Sequence, residues 1–422
     1  MKKELLDNLS NPEMLEKMFR ENRKGFKEAF NEIYRGIENT EVSKFWKARL
    51  DFDLATDAPK SFAMSELVKV ITICIITAFL IKIPALFHLK FSDEVFYMKN
   101  AAIIVFTGLT LYYILGKRIS NSLKLVMTGL AFLVPAVFVN LLPSENASDA
   151  VKLTYIHLPL LMWFIFGFIY CDYNFRDLAR RIDFIRFNGD LAIIYALVAI
   201  AGGLLTAITI GLFNSIGLNI DKFYGDYIVI TGAAAAPVVA TFLTDKFPAL
   251  VNRTAPLIAT IFSPMVLVTL IIFLITMIVT GKDPYNDRNF LLIFNLMLLG
   301  VMGIIIFSVS ETSVIKNQKF NAGVLFALSV VTIIIDLIAL SAIFYRLGEY
   351  GLSPNRLAVL VSNILVLINL FFIMADLFKI NFKKKDFITL ELTVAKYMPV
   401  YLIWIIIVVF GFPLLFGINM VH

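Results

Sequence analysis

From residue 64 onward the chain alternates long, continuously apolar runs with short polar breaks. A hydrocarbon core about 30 Å thick needs roughly 20 apolar residues in a helix. Eleven runs qualify, at approximately 64–87, 97–115, 125–142, 154–171, 191–216, 227–243, 255–280, 290–310, 323–347, 357–378 and 398–417. They are continuous rather than alternating, which predicts helices and not barrel strands. The expected fold is all-α, a polytopic transmembrane helix bundle over residues 63–422.

The first 62 residues follow another pattern. Asn11 suits an N-cap and Pro12 the first helical position. Leu15, Met18, Phe19, Phe26, Phe30, Ile33, Tyr34 and Ile37 then recur at steps of three and four, one apolar helical face. A second segment, about Thr40 to Leu54, carries Val42, Phe45, Trp46 and Leu50. This predicts a small helical head, folded on the ends of the bundle or offering residues 12–54 to a partner protein.

Composition agrees: 59% of the 422 residues are hydrophobic, 17% are charged, and the mean hydropathy is +0.81. Charge is unevenly spread. Residues 1–60 hold 12 Lys/Arg and 12 Asp/Glu, so the net +6 belongs to the apolar body. Its cations lie in short loops. One set of loops (Lys117, Arg118, Lys124, Arg176, Arg180, Arg181, Arg186, Lys246, Arg253, Lys316, Lys319, Lys379, Lys383, Lys384, Lys385, Lys396) holds sixteen, the opposite set eight. The positive-inside rule places the richer set and the N-terminus in the cytoplasm and the C-terminus outside. Nucleic acid is not needed to explain a pI near 9. Cys74 and Cys171 sit in apolar segments, which supports neither a disulfide framework nor a thiolate metal site. His88, His157 and His422 lack zinc-pair spacing, and no cofactor or nucleotide loop motif occurs.

A charge within a span is costly and so informative. Asp336 lies midway through Gly323–Leu347, with Ser329 and Thr332 on the same helical face. In the next run Asn355, Ser362, Asn369 and Asp376 recur every seven residues, nearly in line. An antiparallel hairpin of the two runs puts Asp336 level with residue 366, bracketed by Asn363 and Asn369. Either Asp336 bonds a neighbouring Asn as packing glue, or it serves a proton- or ion-coupled path. Lys82, near a span's end, is expected to snorkel, and Asn295 has no evident partner. Backbone breakers are a second pointer: Gly202-Gly203, Gly232-Ala233-Ala234-Ala235-Ala236-Pro237, Pro256 and Ser263-Pro264.

Two outer loops gather charges, with Asp283, Asp287 and Arg288 in one and Arg346, Glu349 and Arg356 in the other. Salt bridges among themselves, or a binding vestibule, account for them. Asp93-Glu94 resembles the acidic pair of lipid-linked-sugar glycosyltransferases, but its loop is too short for their outer domain. Neither a His-Glu-x-x-His site nor a Gly-x-Ser-x-Gly elbow occurs, which disfavours an enzyme.

Several strings are shared with a family: Phe184-Ile185-Arg186-Phe187-Asn188-Gly189, Ala235-Ala236-Pro237-Val238-Val239-Ala240-Thr241, Gly281-Lys282-Asp283-Pro284-Tyr285-Asn286-Asp287-Arg288, and Tyr345-Arg346-Leu347-Gly348-Glu349-Tyr350-Gly351-Leu352-Ser353-Pro354-Asn355-Arg356. By these the chain resembles a bacterial multi-pass membrane family catalogued as domain of unknown function 4153. Its head, Asn11-Pro12-Glu13-Met14-Leu15-Glu16, resembles the N-terminal extension of versions from the Bacteroidota. The resemblance implies a bacterial inner-membrane setting and about eleven helices, and no activity. The expectation is a small-solute or ion transporter or permease with its polar path near Asp336, Asn363, Asn369, Ser329 and Thr332. The alternatives are a scaffold or sensor acting through the head, and a transferase at the outer face.

Overall fold

The computed structural model describes residues 2–9, 11–37, 40–57, 64–88, 93–144, 147–215, 218–281, 285, 288–312 and 318–418. By packing, the chain divides into residues 1–61 with 246–249, and residues 62–245 with 250–422.

The first unit is built from α1 (Lys2–Asp7), α2 (Pro12–Glu21), α3 (Arg23–Ile37) and α4 (Glu41–Asp57). Asn11 does cap α2, accepting from the Met14 amide at 3.2 Å. The single apolar face read over 12–37 is in fact two helices. Asn22 leaves helical geometry and its side chain accepts from the Gly25 amide at 2.9 Å, which caps α3. The bend turns Phe19, Phe26 and Phe30 onto Trp46 and Leu50, all buried.

Among the described residues after 63, eleven helices are long and apolar enough to cross a membrane: α5 (Met64–Ile81), α6 (Asp93–Lys117), α7 (Ser122–Leu141), α8 (Asp149–Tyr170), α9 (Leu178–Ser215), α10 (Asp221–Lys246), α11 (Pro248–Val279), α12 (Arg288–Thr312), α13 (Gln318–Tyr350), α14 (Pro354–Lys383) and α15 (Ile388–Phe416). The chain is thus an all-α polytopic helix bundle, and no strand occurs among the described residues. The apolar stretch of α8 is 56% buried and those of α12 and α13 are 50%, against 6% for α9 and 11% for α7 and α11. The central packing therefore involves α8, α12, α13, α14 and α15, while α7, α11 and the far half of α9 offer apolar side chains outward. In lipid such a face needs no protein partner.

Several predicted breaks do not occur. Gly202-Gly203 leaves α9 continuous, and α10 and α11 run through Pro237, Pro256 and Pro264. The true break is at Lys82, where α5 ends before a turn, Ile83–Leu86, that holds Pro84. Proline fixes φ and lacks the donor a continuing helix needs. Lys82 consequently does not snorkel. It is 6% exposed, with Nζ 3.3 Å from the Tyr97 hydroxyl and 4.9 Å above the Tyr227 ring. In α15, after a π turn at Ile407–Gly411, Pro413 has no N–H to offer the Val409 carbonyl four residues before it, and that carbonyl accepts from Thr154 of α8 at 3.0 Å. Gly189 of α9 lets Phe307 of α12 approach so closely that a Cβ there would lie 2.2 Å from the ring.

Candidate functional site

Two regions of the bundle bring polar side chains together inside it. The first surrounds Asp336 on α13. Leu328, Ser329, Thr332, Ile335, Asp336 and Ala339 are all fully buried, whereas Ile334 and Leu337 are exposed, so the acid lies on the inward face. Ser329 and Thr332 share that face but turn back on their own helix, donating to the carbonyls of Leu325 at 2.8 Å and Leu328 at 2.7 Å.

Neither asparagine of α14 serves Asp336 as the hairpin reading expects. Asn363 donates to Asn295 of α12 at 2.8 Å, which supplies the partner Asn295 lacked in the sequence. Asn369 donates to the Tyr401 hydroxyl of α15 at 3.0 Å. Both carboxyl oxygens of Asp336 have no hydrogen-bond partner among the described residues, and nor does Asn369 Oδ1. Each such orphaned acceptor costs about 1–3 kcal/mol. The glue expected between Asp336 and an Asn is therefore absent. What remains is a sealed set of acceptor oxygens short of hydrogens or cations, with Tyr401 near enough to feel the carboxyl's charge.

The seven-residue stripe on α14 mostly faces α15. Ser362 accepts from Trp404 Nε1 at 3.0 Å, Asn369 meets Tyr401, and Asp376 accepts from Thr393 at 2.6 Å. Asn355, at the far end, donates to Asp149 of α8 at 2.7 Å. Tyr397 stacks edgewise on Tyr401 with ring centres 5.1 Å apart. Tyr397 and Asp376 also line a cavity of about 370 Å³ at the lysine-rich end, together with Phe372, Lys379, Thr393 and Lys396.

The second region was not foreseen. Arg186, counted as a loop cation, lies within the helical start of α9. It donates to Glu391 of α15 at 2.6 Å and to the Ser310 carbonyl of α12 at 3.0 Å, with Asp183 at 3.9 Å. Glu311 is buried beside it and Asp190 half-buried, both within its electrostatic reach. Three inward carboxyls thus share one guanidinium. Part of the signal was in the sequence: Asp190 and Glu311 directly abut the apolar runs 191–216 and 290–310, whereas Glu391 lies seven residues before the run 398–417. Nearby, Asp172 holds Lys124 at 2.5 Å and Arg180 at 3.3 Å, and the Lys124 ammonium keeps its carboxyl below the usual range.

The outer cluster is only partly visible. Asp283 and Asp287 lie outside the described residues, as does the Arg288 side chain. Arg346 and Arg356 both lie against the Tyr350 ring, at 5.7 and 5.4 Å, and Arg356 donates to the carbonyls of Tyr350 and Gly351 at 2.7 Å each. Arg356 thus caps the end of α13. Among the described residues neither arginine pairs with Glu349. Ser353 caps α14, accepting from the Arg356 amide. No group of three His, Cys, Asp or Glu able to hold a metal occurs among the described residues, and both cysteines are free. No family model matches the chain, and no curated protein or solved structure matches it significantly.

Proposed function

We propose that this multi-pass membrane protein is a small-solute or ion transporter or permease, coupled to a proton or small cation at Asp336, with its polar path between α13, α14 and α15. The observation that carries the reading is the acceptor excess at mid-bundle: two carboxyl oxygens and Asn369 Oδ1, buried with no donor among the described residues. Intramembrane acids are retained at a cost that function commonly explains, and a proton or a small cation is what an acceptor-rich set takes up. The positive-inside count supports a cytoplasmic N-terminus, and the shared strings support the family and its inner-membrane setting.

Reconstitution in liposomes holding a pH-sensitive dye tests this, with proton, Na⁺ and K⁺ gradients imposed in turn. Wild type is expected to carry flux above empty liposomes along one gradient, and Asp336→Asn to abolish it while remaining folded. Undiminished flux in Asp336→Asn, or no flux in wild type under any gradient, refutes ion coupling at this residue. A scaffold or sensor reading has one support of its own, the separate aromatic core of the head.

A further inference from the structure

The cavity at the lysine-rich end of α14 and α15 has the chemistry of a lipid headgroup pocket. Lys379 and Lys396 face it from opposite walls, one from each helix. Of the charges lining it, Asp376 pairs with Lys379 at 2.9 Å and takes the Thr393 hydroxyl, so one positive charge is left over. Lys396 is exposed and makes no ion pair among the described residues. The adjoining turn adds exposed Lys383, Lys384 and Lys385 against Asp386 alone. Lys384 adopts the left-handed conformation (φ 54°) that ends α14, which keeps this turn tight and its cations together.

The walls then change character towards mid-bundle in the same order on both helices. On α14, Lys379 is followed one and two turns deeper by Ala375 and Phe372, and then by Ile368; Phe372 is 53% exposed and Ile368 40%. On α15, Lys396 is followed by Val400 and by Ile403, which is 59% exposed. Seven residues of helix span about 10 Å, so Lys379 stands about one headgroup-to-chain distance from Phe372. The Asp376–Thr393 and Asn369–Tyr401 bonds put the Lys396 backbone nearer the level of Phe372, its long side chain reaching the same cavity. A free anion would need the cations and leave that wall unused; a zwitterionic lipid would need the wall and leave the net charge unanswered. Basic pockets between membrane helices suit acidic phospholipid heads.

We propose that this cavity binds one acidic phospholipid, its phosphate between Lys379 and Lys396 and its acyl chains along Phe372, Ile368 and Ile403. The site does not depend on the transport reading. Native mass spectrometry of the whole chain tests it, in detergent with equal phosphatidylglycerol and phosphatidylcholine. Wild type is expected to retain phosphatidylglycerol at least five-fold over phosphatidylcholine. Lys379→Gln/Lys396→Gln is expected to lose that preference, and Lys117→Gln, at the same end of the bundle, to keep it. Because Lys379 also holds Asp376, Lys396→Gln alone is measured too, and an intermediate loss is expected from it. The proposal is overturned if both Lys396 variants bind as wild type does, if Lys117→Gln loses as much, or if wild type shows no preference. Displacement of the lipid by millimolar inorganic phosphate would overturn it as well, since the cavity would then be a free-anion site.

Discussion

Arg186→Gln tests how the bundle tolerates three carboxyls at one end. The guanidinium is 31% exposed and the Glu391 side chain 8%, so the pair is mostly shielded from water. Breaking a buried pair by removing one partner costs about 3–5 kcal/mol, because the other charge is stranded. The partial exposure of Arg186 argues for the lower end, about 3 kcal/mol. Glu391→Gln is a milder change. It leaves Arg186 beside Glu311 and bonded to the Ser310 carbonyl, and the amide oxygen still accepts, so the loss is about 1 kcal/mol, near that of one ordinary hydrogen bond.

The double variant gives the sharper test, because its sign is fixed by the charges. With Arg186 gone, Glu391 is a stranded anion beside Glu311, and replacing it with Gln removes repulsion. Arg186→Gln/Glu391→Gln should therefore melt above Arg186→Gln alone, although each single change is destabilising. Cys171 makes the measurement direct. It is fully buried, and burial pushes its thiol up to about 11, so with the half-buried Cys74 replaced by Ser a thiol-reactive dye attacks only on unfolding. At about 1–2 °C per kcal/mol, the size scaling extended to a unit this large, Arg186→Gln falls by roughly 3–6 °C and Glu391→Gln by about 1–2 °C. Equal losses in the two single variants, or a double variant melting below Arg186→Gln, would refute the shared-guanidinium account.

Two further outcomes are expected. Asp172 holds Lys124 and Arg180, and its folded pKa lies below the unfolded value near about 3.9. Its contribution, about 0.5–1 kcal/mol at 43% exposure, is complete above that value and is lost as pH falls through the folded pKa. Melting from pH 7 to pH 3 should thus show Asp172→Asn below wild type at neutral pH and the gap closing below about pH 3.9; a gap constant to pH 3 contradicts this. Trp46→Ala removes the ring that sits 5.4 Å from Phe19 and 4.8 Å from Phe26. A loss of about 3–5 kcal/mol is a large part of the about 3–9 kcal/mol that a unit of this size holds, so limited proteolysis should clip residues 1–61 faster than in wild type while the dye-detected melt of the bundle stays put. A head as resistant as wild type would show that its core does not depend on Trp46.

The eleven spans could be read from the chain because lipid imposes a length on every apolar run, and that constraint is local. Helix ends are set by partners, and those are not local. Leu178–Asp190 carries Arg180, Arg181, Asp183, Arg186 and Asp190, which reads as a loop. It is helical because distant residues take up its charges: Arg181 donates to the Ala395 carbonyl at 2.8 Å and Arg186 to Glu391. The stripe on α14 was visible for a similar reason, since a seven-residue period is a property of one helix. Its partner was not visible. Adjacency in sequence pointed to α13, but Thr393, Tyr401 and Trp404 on α15 hold the hydrogen-bonding groups that match Asp376, Asn369 and Ser362. Lys82 shows the same limit at one residue, where the break before Pro84 puts the ammonium among tyrosine rings.

The stripe itself sharpens the place of Asp336. From Asn355 to Asp376 it covers 21 residues, about 31 Å of helix, which equals the thickness of a hydrocarbon core. At each of its four levels the polar side chain meets a side chain of another helix: Asn355 meets Asp149, Ser362 Trp404, Asn369 Tyr401 and Asp376 Thr393. The level of Asn369 differs in one respect: its Oδ1 has no partner among the described residues, nor do the two carboxyl oxygens of Asp336, whose charge reaches the same Tyr401. A seam built only for packing has no reason to be complete at both ends and deficient in hydrogens at its centre. Packing alone would be served there by a small apolar residue, which leaves no buried acceptor unmet. The deficit therefore favours an occupant that comes and goes, and the Asp336→Asn flux measurement decides whether that occupant moves.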